Sequence, residues 1–357
     1  MTSRERVTAA LQHRQPDRTP VFEYVLLSPL ADTFLGRRCA ADPANWQAVV
    51  KEKGWQGAVR QAAVDMVDLA VLLGHDMIYA TPAPPTPAAT PSRAEQPARK
   101  PVADPIEALS IRNEMGAQAR PCDDGLLIYT CLKDEMRRRG IDLPILAPAY
   151  AHGVWADVDL MQTMLLAPEV AHRHFALATQ GSLRLIDRYV SIGIDQIGVG
   201  GDFSGTRPII SPQAYREFIV PEVRKLSRRI HQAGLCAINA SDGNLWPVIE
   251  DFLLGCEVDG YLEIDMHAGM DLRKLKCAYG ERITFYGNLD CGNILSFGST
   301  QAVRRHTIDC LEAGMGNGGH ILCAGNAITA SIPLVNYVAV VNAYRDTFGL
   351  PRLRIPA

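Results

Sequence analysis

The sequence predicts an α/β fold of the (β/α)8 TIM-barrel type, and three observations carry that prediction. Short apolar runs recur near residues 21, 76, 144, 197, 236, 261, 284 and 320, each followed by a stretch of helical periodicity. The turns that follow the runs are short and rich in small or polar residues, as in Ser241-Asp242-Gly243-Asn244. A chain of 357 residues accommodates eight such units as one barrel domain over residues 1–357. An open doubly wound sheet would carry a glycine-rich first βα turn, and Val21–Leu27 is followed by nothing like GxGxxG.

Taken in order, Ser3-Arg4-Glu5-Arg6-Val7 opens a short helix that Thr2 or Ser3 can cap, and Pro16-Asp17-Arg18-Thr19-Pro20 stops it. Val21–Leu27 is the first strand, and Glu23 within it needs either an arginine partner or a cavity. Residues 43–73 read as helix and 75–80 as the second strand. Residues 81–105 hold eight prolines and read as a surface excursion from the barrel, since the next element resumes the same alternation. A helix starts at Pro105, a short β-like run covers Leu126–Thr130, and a charged helix covers 131–139. The third core strand, near 143–150, ends in the side-chain-rich loop Tyr150-Ala151-His152-Gly153-Val154-Trp155. Beyond two helices at 158–165 and 168–194 the alternation is regular. Strands near 196–201, 235–240, 260–264, 283–287 and 319–323 alternate with helices at 212–234, 245–254, 272–279, 300–313 and 334–348.

Composition narrows the function classes. Hydrophobic residues make up 47% and charged residues 21%, which suits a globular protein with a sizeable core. The net charge is −3, and the basic runs Lys133–Arg139 and Arg224–Arg229 read as solvated helix faces, so no nucleic-acid partner is expected. No apolar run is long enough for a membrane span, and the first fifteen residues lack the apolar segment of a signal peptide. Nine scattered cysteines with no CxxC pair fit a reducing, cytoplasmic setting.

In a barrel the strand C-termini share one mouth. There the sequence places Glu23, Tyr24, Tyr150, His152, Asp202, Asp242, Asn244, Glu263, Asp265, His267, Asn288, Asp290, Cys323 and Asn326. So many carboxylates together require a cation, raised pKa values or acid–base chemistry. Each one singly also suits a plain structural role, because Asp and Asn after strands commonly cap helices and turns. Asp242-Gly243-Asn244 and Asn288-Leu289-Asp290 are the strongest candidates, since the glycine at 243 and the one just before the second turn, at 287, let backbone approach a ligand. For a metal, Glu263-x-Asp265-x-His267 offers alternate residues on one face if the strand runs that far. No Ser-His-Asp set or nucleophile elbow is present in the pattern.

These blocks, together with Ser211-Pro212-Gln213-Ala214-Tyr215-Arg216-Glu217-Phe218, Ala268-Gly269-Met270-Asp271-Leu272, Tyr286-Gly287-Asn288-Leu289-Asp290 and Pro333-Leu334-Val335-Asn336, resemble the uroporphyrinogen decarboxylase (URO-D) superfamily. The opening Ser3-Arg4-Glu5-Arg6 to Asp17-Arg18-Thr19-Pro20 resembles it too. The resemblance implies a barrel with its site at the strand C-termini, commonly homodimeric, and one of two chemistries. One is cofactor-free decarboxylation of uroporphyrinogen; the other is zinc-dependent methyl transfer to or from a corrinoid protein. The decarboxylases' arginine-rich block is missing: after Pro20 no arginine occurs until Arg37, and a tetrapyrrole with many carboxylates needs such cations. The methyltransferases' His-x-Cys and third Cys are also missing, their places being taken by Ala240, Asp242 and Asn326.

The resemblance therefore implies a divergent member nearer the methyltransferase branch. The expectation is a cobalamin (corrinoid)-dependent methyltransferase or demethylase acting on a small methoxy or methylamine-type donor. A corrinoid protein would be its partner, and zinc a possible metal whose family ligands are absent, which leaves Asp242, Glu263 and His267 as the candidate metal set. Asp242, Glu263 and His152 are the expected acid–base or Lewis-acid-binding residues. Glu23, Tyr24, Tyr150, Asp202, Asn244, Asn288, Asp290 and Asn326 are the expected substrate-binding residues. The alternatives are tetrapyrrole decarboxylation and a non-catalytic corrinoid- or porphyrin-binding protein.

Overall fold

The computed structural model describes residues 1–86, 102–119 and 122–354; most of the proline-rich 81–105 stretch lies outside them. Among the described residues seven parallel strands form one sheet in chain order: β1 (Ile78–Tyr79), β2 (Ile145–Pro148), β3 (Gln196–Gly200), β4 (Cys236–Ala240), β5 (Gly260–Leu262), β6 (Thr284–Tyr286) and β7 (His320–Ile321). Consecutive order with helical returns gives the curl of a TIM-barrel-like sheet.

Side-chain parity shows which face is which. Leu146, Ile238, Leu262, Tyr286 and Ile321 gather with Phe22 and Met77 in one buried interior cluster. Their strand neighbours Ile145, Ala147, Ile197, Val199, Ala237, Tyr261 and Phe285 belong instead to the core shared with the helices. Both faces of every strand are covered, as parallel sheets require. The register sets Gly198 opposite Ile238, Ala240 opposite Leu262 and Leu262 opposite Tyr286, so the C-terminal ends of β3 to β6 lie side by side.

The expected eighth strand, Val21–Leu27, is a correction. It forms only single-residue bridges, Val21 to Leu322 and Leu26 to Ile328. The Phe22 N–H donates to the Leu322 carbonyl (3.1 Å), and the Asp76 N–H donates to the Val21 carbonyl (2.7 Å). The segment thus touches the chain on both sides, but a bend at Tyr24 interrupts its pairing. A second correction is Leu126–Thr130, read as β-like. It is a 3-10 turn, Asp124–Leu126, running into the helix Leu127–Arg139. Tyr129, Leu132 and Met136 are buried at helical spacing there, and a short apolar run alone does not distinguish that from a strand.

The helices otherwise follow the pattern. Thr2 caps Ser3–Leu11 in a complete capping box with Glu5. Pro43–Leu73 is one long element broken at Gly54, whose φ of 72° is not helical. The predicted helix from Leu245 is tighter and then wider than α, a 3-10 turn at Trp246–Val248 and a π turn at Asp251–Gly255. No helix among the described residues is long and apolar enough to cross a membrane.

Candidate active site at the strand C-termini

A cavity of about 410 Å³ opens at the ends of β3 to β7. Its walls include Asp202, Asp242, Asp265 and Asp290, the amide side chains of Asn288 and Asn326, and the indole of Trp155. His267 is the one basic residue among the lining residues, and no lysine or arginine is among them.

Three carboxylates come together here. Oxygens of Asp202, Asp242 and Glu263 lie within 4.8 Å of one another. Asp202 follows β3; its Oδ1 accepts from the Asp242 N–H at 3.2 Å, which ties the β3 and β4 turns together. Asp242 Oδ2 accepts from Asn326 Nδ2 at 2.8 Å, which ties β4 to the turn after β7. Gly243 makes this crowding possible. Its φ is 88°, and a Cβ there would lie 2.5 Å from the Ser204 carbonyl carbon. Glu263 follows β5, is 7% exposed, and accepts from the Tyr24 hydroxyl. Its backbone has φ 73°, a conformation that costs a non-glycine residue about 1–3 kcal/mol and is found where surrounding structure enforces it.

The electrostatics follow from this crowding. Burial, reinforced by the charge of Asp202, pushes the Asp242 carboxyl up to about 6. Burial pushes Glu263 up to about 8; the hydrogen bond from Tyr24 opposes that push, and the charges of Asp242 and Asp202 add to it. Near neutral pH the trio therefore holds at least one proton, on Glu263, or shares a cation. As a donor set, three carboxylates suit a hard divalent ion and do not reproduce a thiolate and imidazole zinc site.

The remaining predicted residues divide. Asn288 and Asp290 line the cavity with Asn326. His267 does not join the metal set. Its Nε2 lies 2.8 Å from Asp290 Oδ1, and its imidazole is half-exposed. The cause is local: β5 ends at Leu262, and Asp265 caps a 3-10 turn at Met266–Ala268 that turns His267 toward Asp290. Against the upward push of burial, the His267 contact and the N–H groups of Asn293 and Ile294 hold Asp290 below its usual range. Asp202 takes the place in the cluster that the sequence assigned to His267.

His152 is fully buried and does not line the cavity. Its ring stacks on Phe175, and Nε2 lies 2.9 Å from Thr179 Oγ1. Burial pushes it down to about 4, so it is a neutral core histidine. Asn244 is a turn residue, accepting from the Trp246 N–H at 3.1 Å and donating its own N–H to the Gly205 carbonyl. Glu23 accepts from the Ala324 N–H at 3.2 Å and borders a different cavity, where burial pushes it up to about 8. Tyr24 meets Glu263, and its ring packs edge-on against Tyr79 with centroids 4.7 Å apart. Tyr150 lies over Gly198, where a Cβ would come 2.6 Å from the ring. Among the described residues its buried hydroxyl has no partner within ordinary hydrogen-bonding geometry. Trp155 was not singled out in the sequence, although the crowded loop after β2 held it; its indole packs over Gly205 and walls the cavity.

A curled parallel sheet with an acidic cavity at its strand C-termini defines a barrel-like α/β protein with an enzyme-type site. Residues 154–347 match the uroporphyrinogen decarboxylase (URO-D) family, and the chain belongs to it. Among curated proteins it is similar to a methylated-thiol–coenzyme M methyltransferase of Methanosarcina mazei, 27% identical over 232 residues, which are 61% of this chain and 58% of that one. It is also similar to uroporphyrinogen decarboxylases. That of Geobacter metallireducens is 23% identical over 52% of each chain, and that of Coxiella burnetii 20% identical over 50% of this chain and 48% of the relative. The matched segments thus span about half to three fifths of these relatives' length. A solved methyltransferase from Methanosarcina mazei shares the fold with a TM-score of 0.69 at 18% identity, covering 98% of this chain and 99% of that one.

Proposed function

We propose that this protein is a corrinoid-dependent methyltransferase that removes a methyl group from a small methoxy or methylamine-type donor. One observation carries the choice between the family's chemistries: the cavity is lined by four aspartates, adjoins Glu263, and has no lysine or arginine among its lining residues. A polycarboxylate such as uroporphyrinogen would meet repulsion there, whereas a neutral ether or a methylated amine would not. The methyltransferase relative supports the same branch.

The chain's own residues would work as follows. The donor sits in the cavity with its heteroatom toward Asp242 and Glu263. When the methyl group is taken by an external nucleophile, the departing oxygen or nitrogen keeps the bonding pair. Glu263, protonated near neutral pH and held by Tyr24, supplies the proton that the leaving group needs. Asn326 holds the Asp242 carboxylate, and Asp202 holds the backbone N–H of the same residue. A divalent cation, when bound, would be held by Asp202, Asp242 and Glu263 and would polarise the same heteroatom. The cavity of about 410 Å³ fits a small donor but not a corrin macrocycle, so the corrinoid would present its face at the mouth from a partner protein.

The test is to incubate the purified protein with cob(I)alamin and a panel of methoxylated and N-methylated compounds. Demethylated product and the corrinoid spectrum are followed, with metal content measured in parallel. Demethylation that disappears in Asp242→Asn supports the reading. Conversion of uroporphyrinogen to coproporphyrinogen, or corrinoid binding with no transfer from any donor, overturns it.

A further inference from the structure

A second cavity of about 210 Å³ lies between residues 23–27, the later half of the helix Pro43–Leu73, and β1. It shares no lining residue with the acidic cavity. Its deep wall is apolar: Cys39, Ala70, Met77 and Ile78 are each at most 5% exposed. Tyr24 and Tyr79 add an aromatic wall, their rings edge-to-face.

The polar groups that border this cavity carry no charge near neutral pH. Burial pushes the His75 imidazole down to about 3, with Arg345 adding to the effect, and burial pushes the Glu23 carboxyl up to about 8. No lysine, arginine or aspartate is among the lining residues. A charged ligand would therefore lose its hydration with no counter-ion to replace it. Size sets the other limit. An apolar cavity of about 150 Å³ stays dry and accepts benzene, so this larger one has room for a benzene ring with a small substituent.

We propose that this cavity is a second ligand site, separate from the acidic one, for an uncharged molecule built on a single aromatic ring. The polar edge of such a ligand would meet Glu23, His75 or the two tyrosine hydroxyls, and its ring the methionine, alanine and tyrosine walls. The site lies one side chain from the carboxylate trio, because Tyr24 borders it and also bonds Glu263. The inference does not depend on the methyl-transfer reading.

The experiment is calorimetric titration of the intact protein with methoxybenzene, with tetramethylammonium as a cationic probe of similar size. Wild type should bind methoxybenzene with millimolar or tighter affinity. Ala70→Phe, whose ring would occupy the cavity, should weaken binding by about tenfold or more. Met66→Phe, at a half-buried position that tolerates bulk more easily, serves as the second filling variant, and thermal melting confirms that each variant is folded. Asp242→Asn should bind as wild type does. The proposal is overturned by absence of methoxybenzene binding in wild type, by undiminished binding in both filling variants, by loss of binding in Asp242→Asn, or by displacement of methoxybenzene by tetramethylammonium.

Discussion

Glu263 concentrates most of what a single side chain can reveal here. Its carboxyl is raised by burial well above an ordinary glutamate, so the folded state binds its proton more tightly than the unfolded chain does. Between the ordinary carboxylate range and about 8 the native protein carries the extra proton, and stability therefore falls as pH rises through that window. Glu263→Gln removes the titration. Its melting temperature should change less between pH 5 and pH 9 than that of wild type, as differential scanning fluorimetry would show. In the proposed reaction Glu263 acts as the acid, so activity should decline on the alkaline side near pH 8 in wild type. Tyr24→Phe deletes a hydrogen bond that favours the charged form, and the alkaline limb should move to higher pH. Asp242→Asn keeps the volume of the side chain and removes its charge. Demethylation should fall by about 100-fold or more with little change in melting temperature.

At the scale of elements, the turn after β4 and the packing beneath β1 each support a prediction. Gly243 is forced by geometry, with φ 88° and no room for a Cβ beside Ser204. Gly243→Ala should destabilise by about 1–3 kcal/mol and loosen the Asp202–Asp242 contact, so stability and activity fall together. Asp76, at the start of the second unit, is fully buried. It accepts from Ser3 Oγ at 2.9 Å, from the guanidiniums of Arg6 and Arg18 at 2.6 and 2.9 Å, and from the Val21 N–H at 3.1 Å. One carboxylate thus fastens the first helix, the arginine before Pro20 and the segment that replaces an eighth strand. Asp76→Ala would leave Arg18 without its carboxylate and Arg6 with Asp17 alone, and should cost about 3–5 kcal/mol, measurable as a shift in the urea midpoint. The same element explains why the sequence predicts a full strand where only two bridges form. Pairing signals at Val21 and Leu26 are real, but the bend that carries the Tyr24 hydroxyl to Glu263 breaks the ladder between them.

For the whole molecule, the order of the sheet decides which turns become neighbours. Asp202, Asp242 and Glu263 are far apart in sequence yet follow three consecutive strands, so a parallel sheet in chain order must bring them to one edge. If the trio takes a divalent cation, adding Mg²⁺, Mn²⁺ or Zn²⁺ should raise the melting temperature. The gain should be larger at pH 8 than at pH 5, because protons and the cation compete for the same oxygens. Asp202→Asn should reduce that gain, while His267→Ala should leave it nearly unchanged.

The sequence by itself determined the α/β alternation, seven of the eight strands it predicts, the cap of the first helix and the acidic character of the mouth. These are local properties: apolar runs, turn residues and capping side chains act over a few positions. The resemblance also marks 240, 242 and 326 as the places where the expected ligand types are replaced, because residue types are legible without coordinates. Only the tertiary structure decided which carboxylates meet. Alternation of residues predicted Glu263 with His267, and that holds only while a strand continues; β5 stops at Leu262 and Asp265 starts a tight turn. His152 is buried beside Thr179, and Asn244 is absorbed by its own turn, because solvent access and backbone hydrogen bonding depend on neighbours remote in the chain. Asp202 entered the cluster through contact between turns that sequence spacing does not encode.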